Sequence, residues 1–274
     1  MVPKVLIVKV IGGLCNRMRT LSSADRWATA TGRHMYYSWP VGPKFGASLD
    51  DLWMHSYRHV SGRVVGGLSR VVGGYREAAD ITLHDQRRLL LMRTESVLFR
   101  DNAELEPWFA PLRRLSLVPE LADRVNETAR GWAGRPAVGV MIRAHANAHQ
   151  QTREASPPEW FFARMKAIRA EDPEMQFFVS TDSPEVSSAI HAEFDGVVEL
   201  KKRGAYNTRV AVADSVCDLY LLAGTTYILG SHYSSFSEVA AALSDHGGYE
   251  TSKVAATEPF SVRRLIATGP PVPH

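Results

Sequence analysis

The sequence predicts an α/β protein made of two halves with a cleft between them. Short apolar runs of strand length alternate with longer segments of helical periodicity, and this alternation is typical of βα units around a parallel sheet. A helical segment with a Gly/Pro-rich end, within 118–135, separates an opening set of such units from a second set. We therefore predict one half at 1–125 and the other at 126–274.

The first half opens with a strand at Lys4–Val10, a helix over about 16–31 and a second strand at His34–Trp39. Gly32 stands where a helix C-cap belongs, because glycine readily adopts the left-handed conformation that ends many helices. A loop rich in proline and glycine follows. Glycines interrupt any long periodicity across 54–105, and no helix or strand is assigned there.

The second half alternates more regularly. An apolar strand within 136–147 runs into a polar loop, and a serine followed by prolines then opens a helix. The full predicted order is strand 136–147, helix 156–173, strand 176–183, helix 184–194, strand 196–200, helix 208–225, strand 226–231 and helix 234–244. This rhythm predicts a parallel sheet, and ligands of open parallel sheets sit at the carboxyl ends of the strands. Residues just after each strand are therefore the candidates for a site.

The composition is that of a soluble globular protein, with 274 residues, 45% hydrophobic and 22% charged. The net charge of +3 suits an anionic small-molecule ligand, but the basic residues are scattered, so no nucleic-acid partner is expected. The two cysteines, Cys15 and Cys217, imply no disulfide framework and fit a reducing cytoplasm. Apolar runs of membrane-spanning length are absent from the sequence. We predict a cytoplasmic protein without a membrane span.

The first strand ends in Gly12-Gly13, after which Asn16 and Arg17 open a helix. A P-loop is excluded because no Gly-Lys-Ser/Thr follows at the required spacing, and a dinucleotide fingerprint is excluded because its third glycine and its acidic residue are missing. Close approach of an anion to the paired glycines remains possible, since helix N-termini attract negative charge. The alternative is a tight turn with a solvent-facing arginine.

Arg143 ends the apolar strand of the second half, and His145 follows it. Arginine offers paired donors with a fixed charge, which suits a phosphate, although an arginine at a strand end is also a common surface residue. His145 and His149 lack a third ligand at zinc spacing, so no metal site is predicted.

Asp182 lies at the tip of the next strand. It is either part of a helix N-cap before Pro184 or a ligand contact.

The last candidate is the hydroxyl cluster that includes Ser234 and Ser235, at the start of the final helix. Hydroxyls and free backbone N–H groups at a helix N-terminus form a phosphate cradle. Ser235-x-x-Glu238 also matches a capping box, which would leave Ser234 and Ser237 available for a ligand.

Four segments in this order resemble the fucosyltransferase superfamily, which includes nodulation-type and core fucosyltransferases and protein O-fucosyltransferases. They are GGLCNRMRTLSSADRWATATGRHMYYSWP, VGVMIRAHAN, VSTDS and DLYLLAGTTYILGSHYSSFSEVAA. The resemblance covers 10–40 and 136–243. It implies a GT-B-like fold of two Rossmann-like halves, with acceptor on 1–125 and nucleotide sugar on 126–274.

The resemblance also implies roles for individual residues. Arg143 would bind the β-phosphate, Asp218 would hydrogen-bond guanine, and Ser234 with Ser235 would hold the phosphates. Asn16 and Arg17 would reach across the cleft toward the donor, which comes close at Gly12 and Gly13. No metal or other cofactor is required.

The activity implied is an inverting transfer from a nucleoside-diphosphate sugar, with GDP the favoured nucleotide, to a hydroxyl of a small molecule or glycan.

The sequence departs from the family pattern near Arg143. The family's guanine-contacting His is Met141, its second arginine is Ala144, and its acid is Ala146. The sequence leaves the catalytic base open among His145, Glu154 and Asp51. These departures support an alternative, a catalytically silent sugar-nucleotide-binding or regulatory module. A nicotinamide-dependent oxidoreductase is disfavoured by the missing dinucleotide fingerprint.

Overall fold

The computed structural model describes residues 3–132, 134–145, 149–244 and 248–255, and these divide into two compact units. Unit 1 holds the chain up to Val118 together with Gly204–Ala213. Unit 2 holds Pro119–Arg203 and the described residues from Asp214 onward. The chain therefore crosses to unit 2 at Val118–Pro119 and returns briefly to unit 1. The assignment of acceptor to 1–125 and nucleotide sugar to 126–274 stays a prediction.

Unit 1 is built around a four-stranded parallel sheet. Its strands and helices are β1 Lys4–Val10, α1 Leu14–Ala30, β2 Arg33–Ser38, β3 Trp53–Met54, β4 Arg58–His59, α2 Gly62–Val71, β5 Leu89–Thr94, α3 Ala110–Arg113 and β6 Ser116–Leu117. The sheet order is β4-β2-β1-β5, and β3 pairs with β6 in a separate antiparallel ribbon.

Helix α1 packs closely because its inner positions are small or apolar. Ser22, Ser23 and Ala24 are almost completely buried, and Trp27 is fully buried. The helix ends at Ala30 with Thr31 as its C-cap, and Gly32 adopts a φ of +63°, as glycine does after many helices. The predicted helix and its glycine stop are thus confirmed.

The segment 54–105 is more regular than the sequence predicts. It contains α2 and β5, and β5 pairs along β1 from Val5↔Leu89 to Val10↔Thr94. Glycines inside α2 weaken its helical signal, since glycine costs about 1 kcal/mol relative to alanine in a helix. No periodic pattern in the sequence predicted these two elements.

Unit 2 contains a five-stranded parallel sheet in the order β11-β10-β7-β8-β9. Its elements are α4 Pro119–Ala129, β7 Ala137–Ile142, α5 Gln150–Ala155, α6 Pro158–Glu171, β8 Gln176–Thr181, α7 Pro184–Glu193, β9 Val197–Glu199, α8 Arg209–Ala223, β10 Tyr227–Gly230, α9 Ser235–Leu243 and β11 Tyr249–Glu250. The first residues of α8, 209–213, belong to unit 1. The sequence did not predict α5 or β11, which are short.

The core of unit 2 lies on the central strand β7, every residue of which is buried, as expected of a parallel strand covered on both faces. One face packs against apolar side chains of α6 and α7, namely Phe161, Met165, Ile168 and Ile190. Because all five strands are parallel, their carboxyl ends share one edge. The residues that follow β7, β8 and β10 are therefore neighbours.

The predicted α/β class, with a parallel sheet in each half, is confirmed. Within the described residues, no helix is both long enough and apolar enough to cross a membrane.

Candidate functional site

The centre of the candidate site is the loop that follows β7, which Asp182 organises. One oxygen of the carboxylate, Oδ1, accepts the backbone N–H groups of Ala144 and His145, each at 2.8 Å. The other, Oδ2, lies 3.2 Å from Nε of Arg143. Asp182 therefore fixes the backbone after β7 and orients the arginine at its tip.

Arg143 is also held from β10. Its backbone N–H donates to Oγ of Ser231 at 2.9 Å, and that hydroxyl donates to the carbonyl of Met141 at 3.2 Å. The Arg143 side chain is 37% exposed, and its ion pair with Asp182 uses Nε. Its binding of a phosphate, through the paired donors that a guanidinium offers, stays a prediction.

Helix α9 begins beside this arginine. Its N-cap is Ser234, and the Ser234 side chain makes no capping hydrogen bond. The predicted capping box with Ser235 as the cap is therefore wrong. Ser237, which the sequence left available to a ligand, is buried, and its hydroxyl contacts the sulfur of Met141 at 3.2 Å. Ser234 and Ser235 stay the predicted phosphate-binding hydroxyls.

Asp218 lies in α8 and is 3% exposed. Its Oδ2 accepts a hydrogen bond from the Ser180 hydroxyl at 2.7 Å and pairs with Nζ of Lys202. Its Oδ1 is buried without a hydrogen-bond partner among the described residues. The predicted hydrogen bond that Asp218 would accept from guanine stays a prediction, and in this structure Oδ2 of the carboxylate is occupied by Ser180 and Lys202.

Lys202, which is not among the residues predicted from the sequence, follows β9 at the same sheet edge. Desolvation of its ammonium lowers the pKa to about 8 although the side chain as a whole is 39% exposed, and the Glu199 and Asp214 carboxylates oppose this shift. The only signal in the sequence was the basic run Lys201-Lys202-Arg203 directly after a strand.

A second buried aspartate, Asp214, lies one turn before Asp218 in α8 and is 1% exposed. It accepts the backbone N–H of Arg203 at 2.6 Å and its side chain at 2.8 Å, and Nε of Arg124 lies 3.3 Å away. Together the two aspartates fix the backbone between β9 and α8.

In unit 1, the paired glycines after β1 behave differently from each other. Gly12 has a φ of +80°, and a Cβ there would lie 2.8 Å from Oε2 of Glu95. Gly13 is the extended N-cap of α1 and has open space around it. Nδ2 of Asn16 donates to the same Glu95 oxygen at 3.0 Å. A close approach to this turn is therefore sterically possible at Gly13.

Arg17 is turned inward and is 5% exposed. Its Nε donates to the carbonyl of Gly12 at 2.9 Å, its terminal amino group donates to that of Pro40 at 2.7 Å, and the guanidinium lies 3.9 Å from the ring centroid of Phe45. Burial lowers its pKa to about 10, partly offset by Glu95. The alternative of a solvent-facing arginine is wrong. In this structure Arg17 braces the turn, and its contact with a donor stays a prediction.

His145 is exposed, so its imidazole is accessible, and its role as base stays a prediction. Ala146 and Asn147 lie outside the described residues. Among the described residues there is no group of three or more His, Cys, Asp or Glu side chains that could hold a metal ion.

The described residues define a class of fold, an α/β protein with two parallel-sheet units, and in unit 2 polar residues follow the strands at one sheet edge. No model of a known protein family and no curated protein matches the sequence.

Solved structures do match. The α-1,6-fucosyltransferase NodZ, soaked with GDP-fucose, superposes with a TM-score of 0.64 at 18% identity, over 88% of this chain and 93% of NodZ. NodZ comes from Bradyrhizobium.

Two further fucosyltransferase structures extend the comparison. A mutant of Arabidopsis thaliana FUT1 in complex with GDP superposes with a TM-score of 0.59 at 14% identity, over 95% of this chain and 71% of that one. POFUT1 in complex with GDP-fucose superposes with a TM-score of 0.54 at 12% identity, over 92% of this chain and 99% of that one. The chain therefore has the fold of these solved fucosyltransferases, which is the fold that the resemblance of the sequence motifs implied.

Proposed function

We propose that this protein is a fucosyltransferase-like glycosyltransferase that transfers a sugar from a nucleoside-diphosphate sugar, with GDP the favoured nucleotide, to a hydroxyl acceptor. The observation that carries the proposal is the placement of Arg143, held by Asp182 and Ser231, beside the N-terminus of α9. The similar structures were solved with GDP or GDP-fucose, which supports the same donor class here.

The proposed reaction breaks the bond between the sugar's anomeric carbon and the β-phosphate oxygen. Negative charge develops on the leaving diphosphate, and groups that meet this charge in the transition state accelerate the step. Arg143, the hydroxyls of Ser234 and Ser235, and the first backbone N–H groups of α9 are the groups that would do so. Because these supply the charge compensation, the proposal includes no metal and no other cofactor.

The incoming hydroxyl forms the new bond on the opposite face, which inverts the anomeric configuration, and its proton goes to a base. We propose His145, an exposed imidazole on the loop that Asp182 organises, as that base. Replacing it with alanine should lower kcat and leave the Kd for GDP unchanged. A lowered GDP affinity with unchanged kcat would contradict this role.

The decisive experiment removes Arg143. The Arg143→Ala variant should lose at least about 100-fold in kcat/KM, as expected for loss of a charged group at a developing anion. Arg135→Ala is a matched control, because Arg135 precedes β7 at the opposite sheet edge and also pairs with a carboxylate, that of Glu174. The control should retain activity within about two-fold. Normal turnover by the Arg143 variant would refute the phosphate role.

Treatment with EDTA tests the metal-free part of the proposal, and activity should survive it. A clear loss that Mg²⁺ or Mn²⁺ restores would overturn that part.

A binding screen across GDP, UDP and TDP tests which nucleobase the site prefers. It matters because Met141, which replaces the family histidine, is buried against Ser237. Stabilisation by UDP in preference to GDP would show a different nucleotide.

A catalytically silent sugar-nucleotide-binding module is the second candidate, and Met141 and Ala144 favour it. The two candidates agree on binding and differ on turnover. Binding of GDP without donor hydrolysis or transfer, across a panel of glycan and small-molecule acceptors, would support the silent module. Cytoplasmic location stays a prediction for either candidate.

A further inference from the structure

The turn between β10 and α9 places a tyrosine where glycine would be expected. The backbone N–H of Ser234 donates to the carbonyl of Ser231 at 3.3 Å, which closes a four-residue turn whose third residue is Tyr233. Tyr233 has a φ of +58°. A positive φ at the third place of such a turn strongly favours Gly or Asn, and a bulky side chain there is strained.

Packing does not explain the choice of tyrosine. The Tyr233 residue is 69% exposed, and its aromatic contact within the described residues is with its neighbour His232, at 4.2 Å between ring centroids. His232 fixes the turn instead. Its backbone N–H donates to Oγ of Ser156 at 2.7 Å, and its Nδ1 lies 3.2 Å from Oγ1 of Thr251. Tyr233 therefore breaks a local rule without an evident folding gain, which is typical of functional positions.

The position of the ring suggests its partner. Tyr233 directly precedes the hydroxyls of Ser234 and Ser235, and Ser231 at the other end of the turn holds the backbone of Arg143. A diphosphate bound there carries a nucleobase at one end and a sugar at the other. Both present a face, the π-face of the base or the C–H face of the sugar, that packs well on an exposed aromatic ring.

We propose that Tyr233 is a donor-binding residue, whose ring packs against a ring of the bound nucleotide sugar. This inference rests on the proposed function and adds a residue that neither the sequence motifs nor the strand-end ion pairs indicate. It also explains why the strained backbone is retained, since the left-handed conformation sets the direction in which the ring leaves the turn.

The test compares three substitutions, Tyr233→Phe, Tyr233→Ala and Tyr233→Gly, by calorimetric titration with GDP and with GDP-fucose and by thermal melting. Phenylalanine keeps the ring and should bind within about two-fold of the wild type. Alanine and glycine remove it and should weaken binding by about ten-fold, as loss of base stacking does. Glycine also relieves the strained φ. The melting temperature of the Tyr233→Gly variant should therefore equal that of the wild type or exceed it by up to ~2 °C.

The outcomes separate the inference from the function on which it rests. Weaker binding of GDP and GDP-fucose alike assigns the ring to the base, whereas weaker binding of GDP-fucose alone assigns it to the sugar. If Tyr233→Gly binds both ligands as the wild type does, the proposal is overturned. A wild-type chain that binds neither ligand overturns the proposed function, and this inference falls with it.

Discussion

The carboxylate of Asp182 binds the Arg143 side chain through one oxygen and the backbone that follows Arg143 through the other. A single residue at the tip of β8 thus orients the arginine and holds the backbone of the two residues that follow it. The sequence left open whether Asp182 caps a helix or contacts a ligand. The structure shows a third arrangement, in which the neighbouring Ser183 caps α7 and Asp182 supports β7.

Asp182→Ala should therefore weaken donor use without unfolding the protein. Arg143 loses its orienting partner, and we expect the KM for the donor to rise by about ten-fold, since small misplacements of binding groups are costly. The freed N–H groups of Ala144 and His145 lie near solvent, so the stability loss should stay within ~1 kcal/mol.

The control for this prediction is Asp172→Ala at the amino end of β8. Asp172 accepts a backbone N–H in the same manner, from Glu174 at 3.0 Å. Steady-state kinetics over a range of donor concentration would compare the two variants. Equal KM values for the two variants and the wild type would show that Asp182 does not position Arg143.

The paired glycines after β1 provide a matched comparison. Gly12→Ala should destabilise the protein by about 1–3 kcal/mol, because the φ of +80° disfavours alanine and its Cβ would crowd Glu95. Gly13→Ala should cost less, up to about 1 kcal/mol in urea unfolding, because Gly13 is extended with open space around its Cβ position but alanine is a poorer N-cap than glycine.

Activity then separates the two readings of this turn. If the donor approaches Gly13, the Gly13→Ala variant should lose activity although it stays folded under the assay conditions. Full activity in that variant would leave the turn a purely structural feature.

Arg17 should prove important for stability. Arg17→Met removes hydrogen bonds to two carbonyls, those of Gly12 and Pro40, and leaves them poorly solvated, for a cost of about 2–4 kcal/mol. Arg63→Met, on the exposed start of α2, is the control and should change stability by less than about 0.5 kcal/mol. Wild-type stability of the Arg17 variant, combined with lost donor binding, would favour the donor contact that the resemblance implies.

The strand tips could be predicted from the sequence because each follows a clear apolar run. Arg143, Asp182 and Ser234 were found in this way, and the parallel sheet brings their strands to one edge. Partners distant in sequence could not be predicted. Glu95, directly after β5, accepts a hydrogen bond from Asn16, 79 positions earlier in the chain. No local sequence pattern indicates such a pair.

The ion pairs of the two buried aspartates could not be predicted from the sequence for a related reason. Asp214 and Asp218 are four residues apart on a helix that is otherwise largely apolar, and the sequence alone does not show that Arg203 and Lys202 return to meet them. The path of the backbone between β9 and α8 decides which basic residues reach these aspartates. The sequence segment between β9 and α8 carried no predicted structure.

The last prediction concerns Cys217, which is fully buried in α8. Burial raises the pKa of its thiol from 9.0 to about 11, so the native thiol keeps its proton where the unfolded thiol has lost it. Stability from this group is complete below pH ~9 and falls as the pH rises toward 11, by about 1 kcal/mol at pH 10. Between pH 8 and pH 10, urea unfolding should show a larger fall in the free energy of unfolding for the wild type than for Cys217→Ala. The variant is a suitable control because it keeps every tyrosine, so the contribution of tyrosine titration is the same in both proteins. Parallel losses would show that the thiol does not contribute.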